Sequence, residues 1–280
     1  MLQNTTIEGL RTLRMHAMAQ GVADQREQLD YAELAFEERL GMLVDRELLA
    51  RDNRRLARLL KTAKLKLPAA IEELDYSRPR GLDRHVILQL AESHWVAERQ
   101  GVLICGPTGV GKTFLACALA QAAIRRGYSA LYLRAPRMFD ELAIARADGR
   151  LARLMASWAR VDVLLIDDFL IRPLSPDQAA DLLEIVEDRA QQRSTILTSQ
   201  LPIANWHEAL GDPTIADAVL DRLLERANRI DLVGDSMRRS DASTKSRDVK
   251  STTPWTPAQC DGFDRRTRSP QTVDHAPRRR

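Results

Sequence analysis

The chain is poor in cysteine and has no long apolar stretch, and each absence argues against a class of protein. Its three cysteines, Cys105, Cys117 and Cys260, are an odd number without metal-ligand spacing, which argues against a disulfide framework or a cysteine-based metal site. We expect Cys105 and Cys117 to be small core residues in a reducing compartment. No apolar run approaches the roughly 20 residues of a membrane span, and the N-terminus lacks a signal-peptide core. We therefore expect a cytoplasmic protein without a membrane partner.

The overall charge is nearly balanced, with 42 basic and 39 acidic residues. Residues 240–280 hold nine of the basic residues and five of the acidic ones, so the rest of the chain is almost neutral. A surface for nucleic acid on the body of the protein must then be local. The length of 280 residues and the apolar content of 44% allow one or two globular domains with a sizeable core.

Residues 1–67 predict a small helical domain. Thr5 to Glu8 fits a capping box, and a second helical pattern covers 30–49. A third pattern, at 51–66, has leucines on one face and seven basic residues against one acid elsewhere. The residues expected to contact a DNA backbone are Arg51, Arg54, Arg55, Arg58 and Lys61. A solvated face is the alternative, while a membrane-surface helix is disfavoured because the apolar side has no aromatic residue.

Composition divides the remainder of the chain into three parts. Residues 68–84 are broken by proline and glycine and predict a linker, and residues 85–239 predict the main domain. Beyond residue 240 the apolar content collapses and Ser, Thr, Pro and Arg dominate. Residues 240–280 therefore predict a disordered basic tail, which is either simply solvated or a weak tether for nucleic acid.

A motif of the form G-x-x-x-x-G-K-[ST] covers residues 106–113, between a short apolar strand and a helix. Glycines let the backbone wrap a phosphate chain with its N–H groups pointing inward, and the helix N-terminus adds positive potential. Lys112 would reach the β- and γ-phosphates, and the Thr113 hydroxyl would hold Mg²⁺. We therefore expect ATP and Mg²⁺ as cofactors. The residues expected to bind the nucleotide are Gly106, Pro107, Thr108, Gly109, Val110, Gly111, Lys112 and Thr113.

Strand and helix patterns alternate around and after this motif. The strands are predicted at 101–105, 129–133, 161–168, 194–199 and 229–232. The helices are predicted at 83–99, 114–125, 135–160 with a break near Gly149, 182–189 and 214–227. The alternation predicts an α/β fold, with a five-stranded parallel sheet covered by helices on both faces and preceded by the small helical domain.

The strand predicted at 161–168 ends in two acids, Asp167 and Asp168. Ligands of open α/β sheets bind at the carboxyl ends of the strands, where these acids would meet the phosphates. Asp167 would hold Mg²⁺, directly or through water, and Asp168 would orient and polarise the attacking water. A simple Asp-Asp turn and a kinase site are the alternatives that these two residues leave open.

The ordered combination of motifs resembles the AAA+ ATPases. More narrowly, it resembles the IstB-like ATP-binding proteins of insertion sequences, which are relatives of the DnaC helicase loaders and the DnaA initiator. The resemblance extends over residues 5–239. The segments that carry it are 67–76, 106–113, 165–169, 198–202, 206–208, 211–214 and 221–223. It implies the P-loop NTPase fold of AAA+ type.

The resemblance also implies roles at matching positions. Ser199 and Gln200 fall at sensor 1, a polar group that touches the γ-phosphate or the attacking water. Arg222 matches the arginine finger, which acts on the ATP of a neighbouring subunit, and a planar permanent charge suits that task. On the residues alone, an ordinary helix-surface arginine is the alternative for Arg222. Arg238 or Arg239 falls where a sensor 2 contact would lie.

The helices predicted at 135–160 lie where the initiator clade turns an additional helical element towards DNA. The segment is richer in arginine than in aromatic residues, which favours contacts to the DNA backbone over base stacking. The arginines concerned are Arg137, Arg146, Arg150 and Arg153. A charged helical surface with no ligand is the alternative.

Together these features lead to the hypothesis of a DNA-dependent AAA+ ATPase. It would assemble as a homo-oligomer on duplex DNA through its ATP interfaces and assist the transposase of the same insertion sequence. The first alternative is a DnaC-like replicative helicase loader, which shares the core. A P-loop small-molecule kinase is less expected because of the basic helices. A binding module that does not hydrolyse ATP is disfavoured because Lys112, Thr113, Asp167 and Asp168 are all present.

Overall fold

The N-terminal region is helical. The computed structural model describes residues 2–237, apart from the side chains at positions 2–4, 29 and 32. The predictions for residues 240–280 and for Arg238 and Arg239 lie outside that range. The chain begins with α1 (Leu2–Thr12), α2 (His16–Glu27) and α3 (Phe36–Ala63), with a 3₁₀ turn at Leu29–Glu33.

Helix α3 is one continuous helix of 28 residues, so the prediction of separate helices at 30–49 and 51–66 is wrong. Neither proline nor glycine lies near the expected break, and Gly41 is accommodated with nothing within 4 Å of its would-be Cβ. The helix ends at Lys64, which is in the left-handed region with a φ of 51°. The leucines of its second half pack against the core that surrounds α6 and the sheet.

The rest of the described chain alternates between helix and strand. Its elements are α4 (Arg84–Ala91), α5 (His94–Ala97), β1 (Gly101–Cys105), α6 (Lys112–Arg125), β2 (Ala130–Arg134), α7 (Ala135–Ala147), α8 (Leu151–Ala159), β3 (Val163–Phe169), α9 (Pro176–Arg189), β4 (Ser194–Ser199), α10 (Trp206–Leu210), α11 (Pro213–Leu224) and β5 (Ala227–Asp231). Short 3₁₀ turns lie at Ile71–Glu73 and Ile203–Asn205. The break predicted near Gly149 separates α7 from α8 and is confirmed.

Three predicted helices have clearly different limits in the structure. The helix predicted at 214–227 ends at Leu224, and Ala227 begins β5. The helix predicted at 83–99 is divided by Ser93, which has a φ of 62°. Helix α9 begins at Pro176 instead of residue 182, because Ser175 and Gln178 form a capping box around its first turn. That signal, together with proline at the first helical position, is present in the sequence.

The five strands form one parallel sheet in the order β2-β3-β4-β1-β5, which confirms the predicted architecture. Strand β4 lies between β1 and β3, with Ser199 aligned with Cys105 on one side and Phe169 on the other. The carboxyl end of β4 is therefore placed between the loop that follows β1 and the acids that end β3.

Alternate residues of the strands point into two separate cores. Val102 and Ile104 enter the core that contains α6, whereas Leu103 and Cys105 enter the core that contains α7, α9 and α11. Both Cys105 and Cys117 are buried, as predicted. This arrangement confirms the expectation of helices on both faces.

The segment that joins α3 to α4 packs against the first of these cores. Ala69, Ile71 and Leu74 are buried there, among the apolar residues of α6. No helix among residues 2–237 is both long and apolar enough to span a membrane.

Arg189 joins the amino-terminal ends of β3 and β4. Its side chain is 2% exposed and donates to the carbonyl oxygens of Trp158 at 2.6 Å, Val161 at 2.9 Å and Ser194. Its Nε also donates to the Thr195 hydroxyl at 3.1 Å. The contacts to the Trp158 and Ser194 oxygens are buried, so the guanidinium satisfies these oxygens in place of solvent.

Replacing Arg189 with Leu should lower the free energy of unfolding by about 3–5 kcal/mol, because several buried carbonyl groups would lose their donor at once. Urea unfolding followed by circular dichroism measures the change. The matched control is Arg193→Leu, an exposed arginine whose ion pair with Asp162 is 3.5 Å long and should contribute less than about 1 kcal/mol. Equal losses in the two variants would contradict the role given to Arg189.

Candidate functional site

The loop at residues 106–111 connects the end of β1 to the start of α6, which is the context that the glycine-rich motif requires. A Cβ at Gly106 would lie 2.2 Å from the carbonyl oxygen of Leu232, so only glycine fits there. Gly111 has a φ of 102° and caps the helix. The residues that follow β5 therefore pack directly against the loop. The backbone of the loop turns at the N-terminus of α6.

Lys112 is the first residue of α6 and is only 7% exposed. Its Nζ donates to the carbonyl oxygens of Gly106 at 2.6 Å and Pro107 at 2.8 Å, so the ammonium lies across the loop. Burial lowers the pKa of Lys112 from its ordinary value, although the charges of Asp168 and Asp167 oppose the shift. A cation already held at the centre of the loop suits an anionic ligand.

Asp167 is fully buried at the end of β3 and is surrounded by donors. Its Oδ1 accepts from the hydroxyls of Thr113 at 2.8 Å and Thr198 at 2.6 Å. Its Oδ2 accepts from the hydroxyl of Tyr132 at 2.7 Å and from Lys66 Nζ at 3.2 Å. Four separate segments of the chain therefore converge on one carboxylate.

The hydrogen bonds decide the ionisation of this group. Burial alone would raise the pKa of Asp167, but the bonds from Thr198, Tyr132 and Thr113 and the charge of Lys66 lower it below its usual value. Burial and the bond to Asp167 raise the pKa of Tyr132, which remains a proton donor. Asp167 is thus kept as an anion, as a metal ligand must be.

Asp168 is held differently from its neighbour. Its backbone is in the left-handed region with a φ of 58°, and its side chain is 17% exposed. Arg134, at the end of β2, donates from Nε to Asp168 Oδ2 at 2.7 Å. The carboxylate lies at the mouth of the site, but an ion pair within the chain occupies one of its oxygens.

The two residues predicted for sensor 1 point in different directions. Ser199 is fully buried, and its hydroxyl donates to the carbonyl oxygen of Phe169 at 2.9 Å. Gln200 is exposed, and its Oε1 accepts from the Thr108 hydroxyl at 2.6 Å. Of the two, Gln200 therefore contacts the phosphate loop, whereas Ser199 closes the end of β4.

Sequence reasoning missed three residues of the site that the structure brings to the acids: Thr198, Tyr132 and Lys66. Tyr132 is a polar position between two leucines, and that pattern is a usable signal. Thr198 does not stand out in the same way, because four of the six residues of β4 are Ser or Thr. Lys66 carried no such signal, because it comes to Asp167 from 101 residues away in the sequence.

A cavity of about 450 Å³ opens over these groups. Its lining includes Lys66, Lys112, Thr113, Asp168 and Gln200. The Thr113 hydroxyl and the Asp167 carboxylate are hard oxygen donors in direct contact, which suits Mg²⁺, and the loop cradle suits a phosphate chain. No group of three or more His, Cys, Asp or Glu side chains among the described residues forms a metal cluster.

Arg222 lies near the amino-terminal ends of the strands, whereas the phosphate loop and the two acids lie at the carboxyl-terminal ends. It is near the end of α11 and donates to Glu187 Oε1 at 2.8 Å and to the carbonyl oxygen of Ala218 at 2.8 Å. It lines a separate cavity of about 260 Å³ together with Gly101, the first residue of β1. Since the phosphate loop follows the last residue of β1, Arg222 is not part of the site in its own chain.

The basic residues predicted to contact DNA on α3 are partly engaged within the chain. Arg51 and Arg54 pair with Glu47 at 3.0 and 3.1 Å, and Arg55 donates to the carbonyl oxygen of Gly127. The remaining two, Arg58 and Lys61, are exposed and form no ion pair with another described residue.

The arginines predicted on α7 and α8 show the same division. Arg146 pairs with Asp181 and Arg150 with Asp148, whereas Arg137 and Arg153 are exposed without an ion pair among residues 2–237. Helix α3 packs into the core of α6, but α7 and α8 pack into the other one. The two basic surfaces are therefore on opposite faces of the sheet.

Together, the phosphate loop after β1, the two acids near the end of β3 and the five-stranded parallel sheet define a P-loop NTPase of the AAA+ class. A family model described as IstB-like ATP binding protein matches residues 8–245. The chain belongs to this family. It is 46% identical over 240 residues to an insertion sequence ATP-binding protein of Sinorhizobium fredii, covering 86% of this chain and 98% of that protein.

Other relatives and solved structures agree with this assignment. The IS1162 ATP-binding protein of Pseudomonas fluorescens is 49% identical over 203 residues, covering 72% of this chain and 88% of that protein. The crystal structure of DnaI superposes with a TM-score of 0.51 at 24% identity, over 59% of this chain and 91% of that one. The structure of replication initiator DnaA bound to AMPPCP and single-stranded DNA superposes with a TM-score of 0.51 at 17% identity. The match covers 66% of this chain and 56% of that one. These structures show the fold, and the family makes the chain an ATP hydrolase of the AAA+ type.

Replacing Tyr132 with Phe should lower stability at neutral pH by about 1.5–3 kcal/mol, because a hydrogen bond to a charged group is lost. It should also reduce the loss of stability in acid. The folded pKa of Asp167 is lowered, so its contribution is present above the unfolded value and is lost as the pH falls through the folded one. A less depressed pKa in the variant makes that loss smaller.

Urea unfolding at a series of pH values from 7 downwards measures both effects. The control is Tyr128→Phe, whose hydroxyl makes no hydrogen bond within the described part of the chain. An acid dependence in Tyr132→Phe that matches the unchanged protein would show that the hydroxyl does not hold Asp167 in its charged form.

Proposed function

We propose that this ATPase assembles as a homo-oligomer on duplex DNA and assists the transposase of its insertion sequence. The observation that carries the proposal is the position of Arg222, on the sheet edge opposite the phosphate loop of its own chain. An arginine in that position reaches a nucleotide only if a second copy presents one. The names of relatives that match most of this chain place them in insertion sequences, which supports transposition over helicase loading.

The site residues divide the work of hydrolysis among them. Lys112 and the loop amides bind the phosphates, while Thr113 and Asp167 would hold magnesium. When bound, magnesium neutralises the charge that develops on the phosphoryl oxygens. Asp168 orients the attacking water, for which it must first leave Arg134. Gln200 lies beside the loop and is the better placed of the two sensor 1 candidates.

Contact with DNA is proposed for those predicted basic residues whose side chains have neither an acidic nor a backbone partner within the described part of the chain. On α3 these are Arg58 and Lys61, which are exposed on a single long helix. Residues already paired with carboxylates lose that partner on binding a phosphate, so they contribute less to affinity. The surface formed by Arg58 and Lys61 is therefore where we expect the DNA backbone.

The test is the ATPase rate and the particle mass of the purified protein, each measured with and without duplex DNA, in ATP and in ADP. We expect ATP and DNA together to give a large assembly and a faster rate. Changing Arg58 and Lys61 to Gln should weaken DNA binding and lower the slope of log affinity against log salt by about 2, one for each phosphate contact.

The matched control changes Arg125 and Arg126 to Gln, two exposed arginines paired with Glu72 and Glu92. This control removes the same net charge and should leave the salt slope nearly unchanged. A protein that stays monomeric and hydrolyses ATP at the same rate with or without DNA would refute the proposal.

Mixing two inactive variants tests the role of Arg222 in a neighbouring site. The Arg222→Ala protein has no arginine to offer to a neighbouring site, and the Asp168→Asn protein has no carboxylate to orient water. Each variant alone should therefore lose most of its ATPase activity. Mixed assemblies contain some interfaces with both residues intact and should recover part of the ATPase rate. If mixing restores nothing while the assemblies still form, Arg222 does not act on its neighbour's nucleotide.

A further inference from the structure

Lys66 brings the N-terminal region into the nucleotide site. Its Nζ lies 3.2 Å from Asp167 Oδ2, although the two residues are on segments far apart in the sequence. The side chain of Lys66 is 41% exposed and lines the cavity, whereas that of Asp167 has no exposed surface. A surface lysine thus reaches inward to a carboxylate that water does not contact.

The donors around Asp167 differ in how firmly they are held. Thr113 is in α6, Thr198 is in β4 and Tyr132 is in β2, so the backbone fixes all three hydroxyls. Lys66 lies outside any helix or strand and is the one charged donor on Asp167 among the described residues. It is therefore the partner that can leave without disturbing the sheet.

We infer that Lys66 is a positioning residue, whose ammonium supplies the positive charge at Asp167 until magnesium arrives with the nucleotide. The inference rests on the proposed binding of magnesium at Thr113 and Asp167. Two cations so close to one carboxylate repel each other strongly in a site of low dielectric. Lys66 consequently moves away from Asp167 when the metal–nucleotide complex binds, and it returns when that complex leaves.

The connector that follows α3, residues 64–67, does not have to move for this exchange. Leu65 packs against the core that contains α6, and the backbone amides of Lys66 and Leu67 face the Cys117 thiol of α6. Since the Lys66 side chain is 41% exposed, its ammonium can leave Asp167 by rotation about the side-chain bonds.

The test compares the affinity for a fluorescent ADP analogue in magnesium with the affinity in EDTA. Lys66→Met removes the charge and keeps the length of the side chain. Because Lys66 no longer competes for Asp167, the ratio of the two dissociation constants, EDTA over magnesium, should rise by about fivefold or more. Lys66→Arg should retain the ratio of the unchanged protein. Lys64→Met, an exposed lysine two positions earlier, is the control and should also leave the ratio unchanged.

Three outcomes overturn the inference. A weaker affinity for the magnesium complex in Lys66→Met would mean that Lys66 stays and binds the phosphates. If Lys66→Met leaves the ratio of dissociation constants unchanged while the unchanged protein still binds nucleotide, the Lys66–Asp167 contact is only an ion pair. The proposed function would not be affected by that result. A protein that binds no nucleotide in either condition would remove the proposed function and this inference together.

Discussion

The buried carboxylate of Asp167 is the interaction on which the rest of the structure depends. An isolated charge without water is strongly unfavourable, so the chain must bring donors to it. It does so with hydroxyls from α6, β4 and β2 and an ammonium from the connector that follows α3. The order of the strands is part of this solution, because β3 lies between β2 and β4 and receives a hydroxyl from each. The Asp167 carboxylate therefore depends on the packing of four segments and is also the expected magnesium ligand.

The same sheet separates the functions along its strands. The phosphate loop and the two acids lie at the carboxyl-terminal ends of the strands, and Arg222 lies near their amino-terminal ends. A rigid parallel sheet keeps these ends apart, so no rearrangement within one domain joins them. Both acids also form ion pairs within the chain, Asp168 with Arg134 and Asp167 with Lys66. On the function and the inference proposed above, nucleotide binding and turnover would exchange these internal partners for external ones.

Local patterns were sufficient for much of the fold. The phosphate loop, the position of the strands and the two acids follow from short contiguous segments, in which each residue constrains its neighbours directly. Errors arose where local signals compete. The sequence of α3 contains Gly41 and a change in composition, but packing of its leucines against the core keeps it continuous. Ser93 shows the reverse, since a regular helical pattern is interrupted by one residue in the left-handed region.

What the sequence determined by itself is the chemistry available: a phosphate loop, two adjacent acids and a set of basic helices. Only the tertiary structure decided which of these groups meet. It placed Lys66, Tyr132 and Thr198 on Asp167, turned Ser199 away from the cavity and set the two basic surfaces on opposite faces of the sheet. The physical reason is that contacts between distant segments depend on strand order and on which face each side chain occupies, and neither is encoded in any single stretch of the chain.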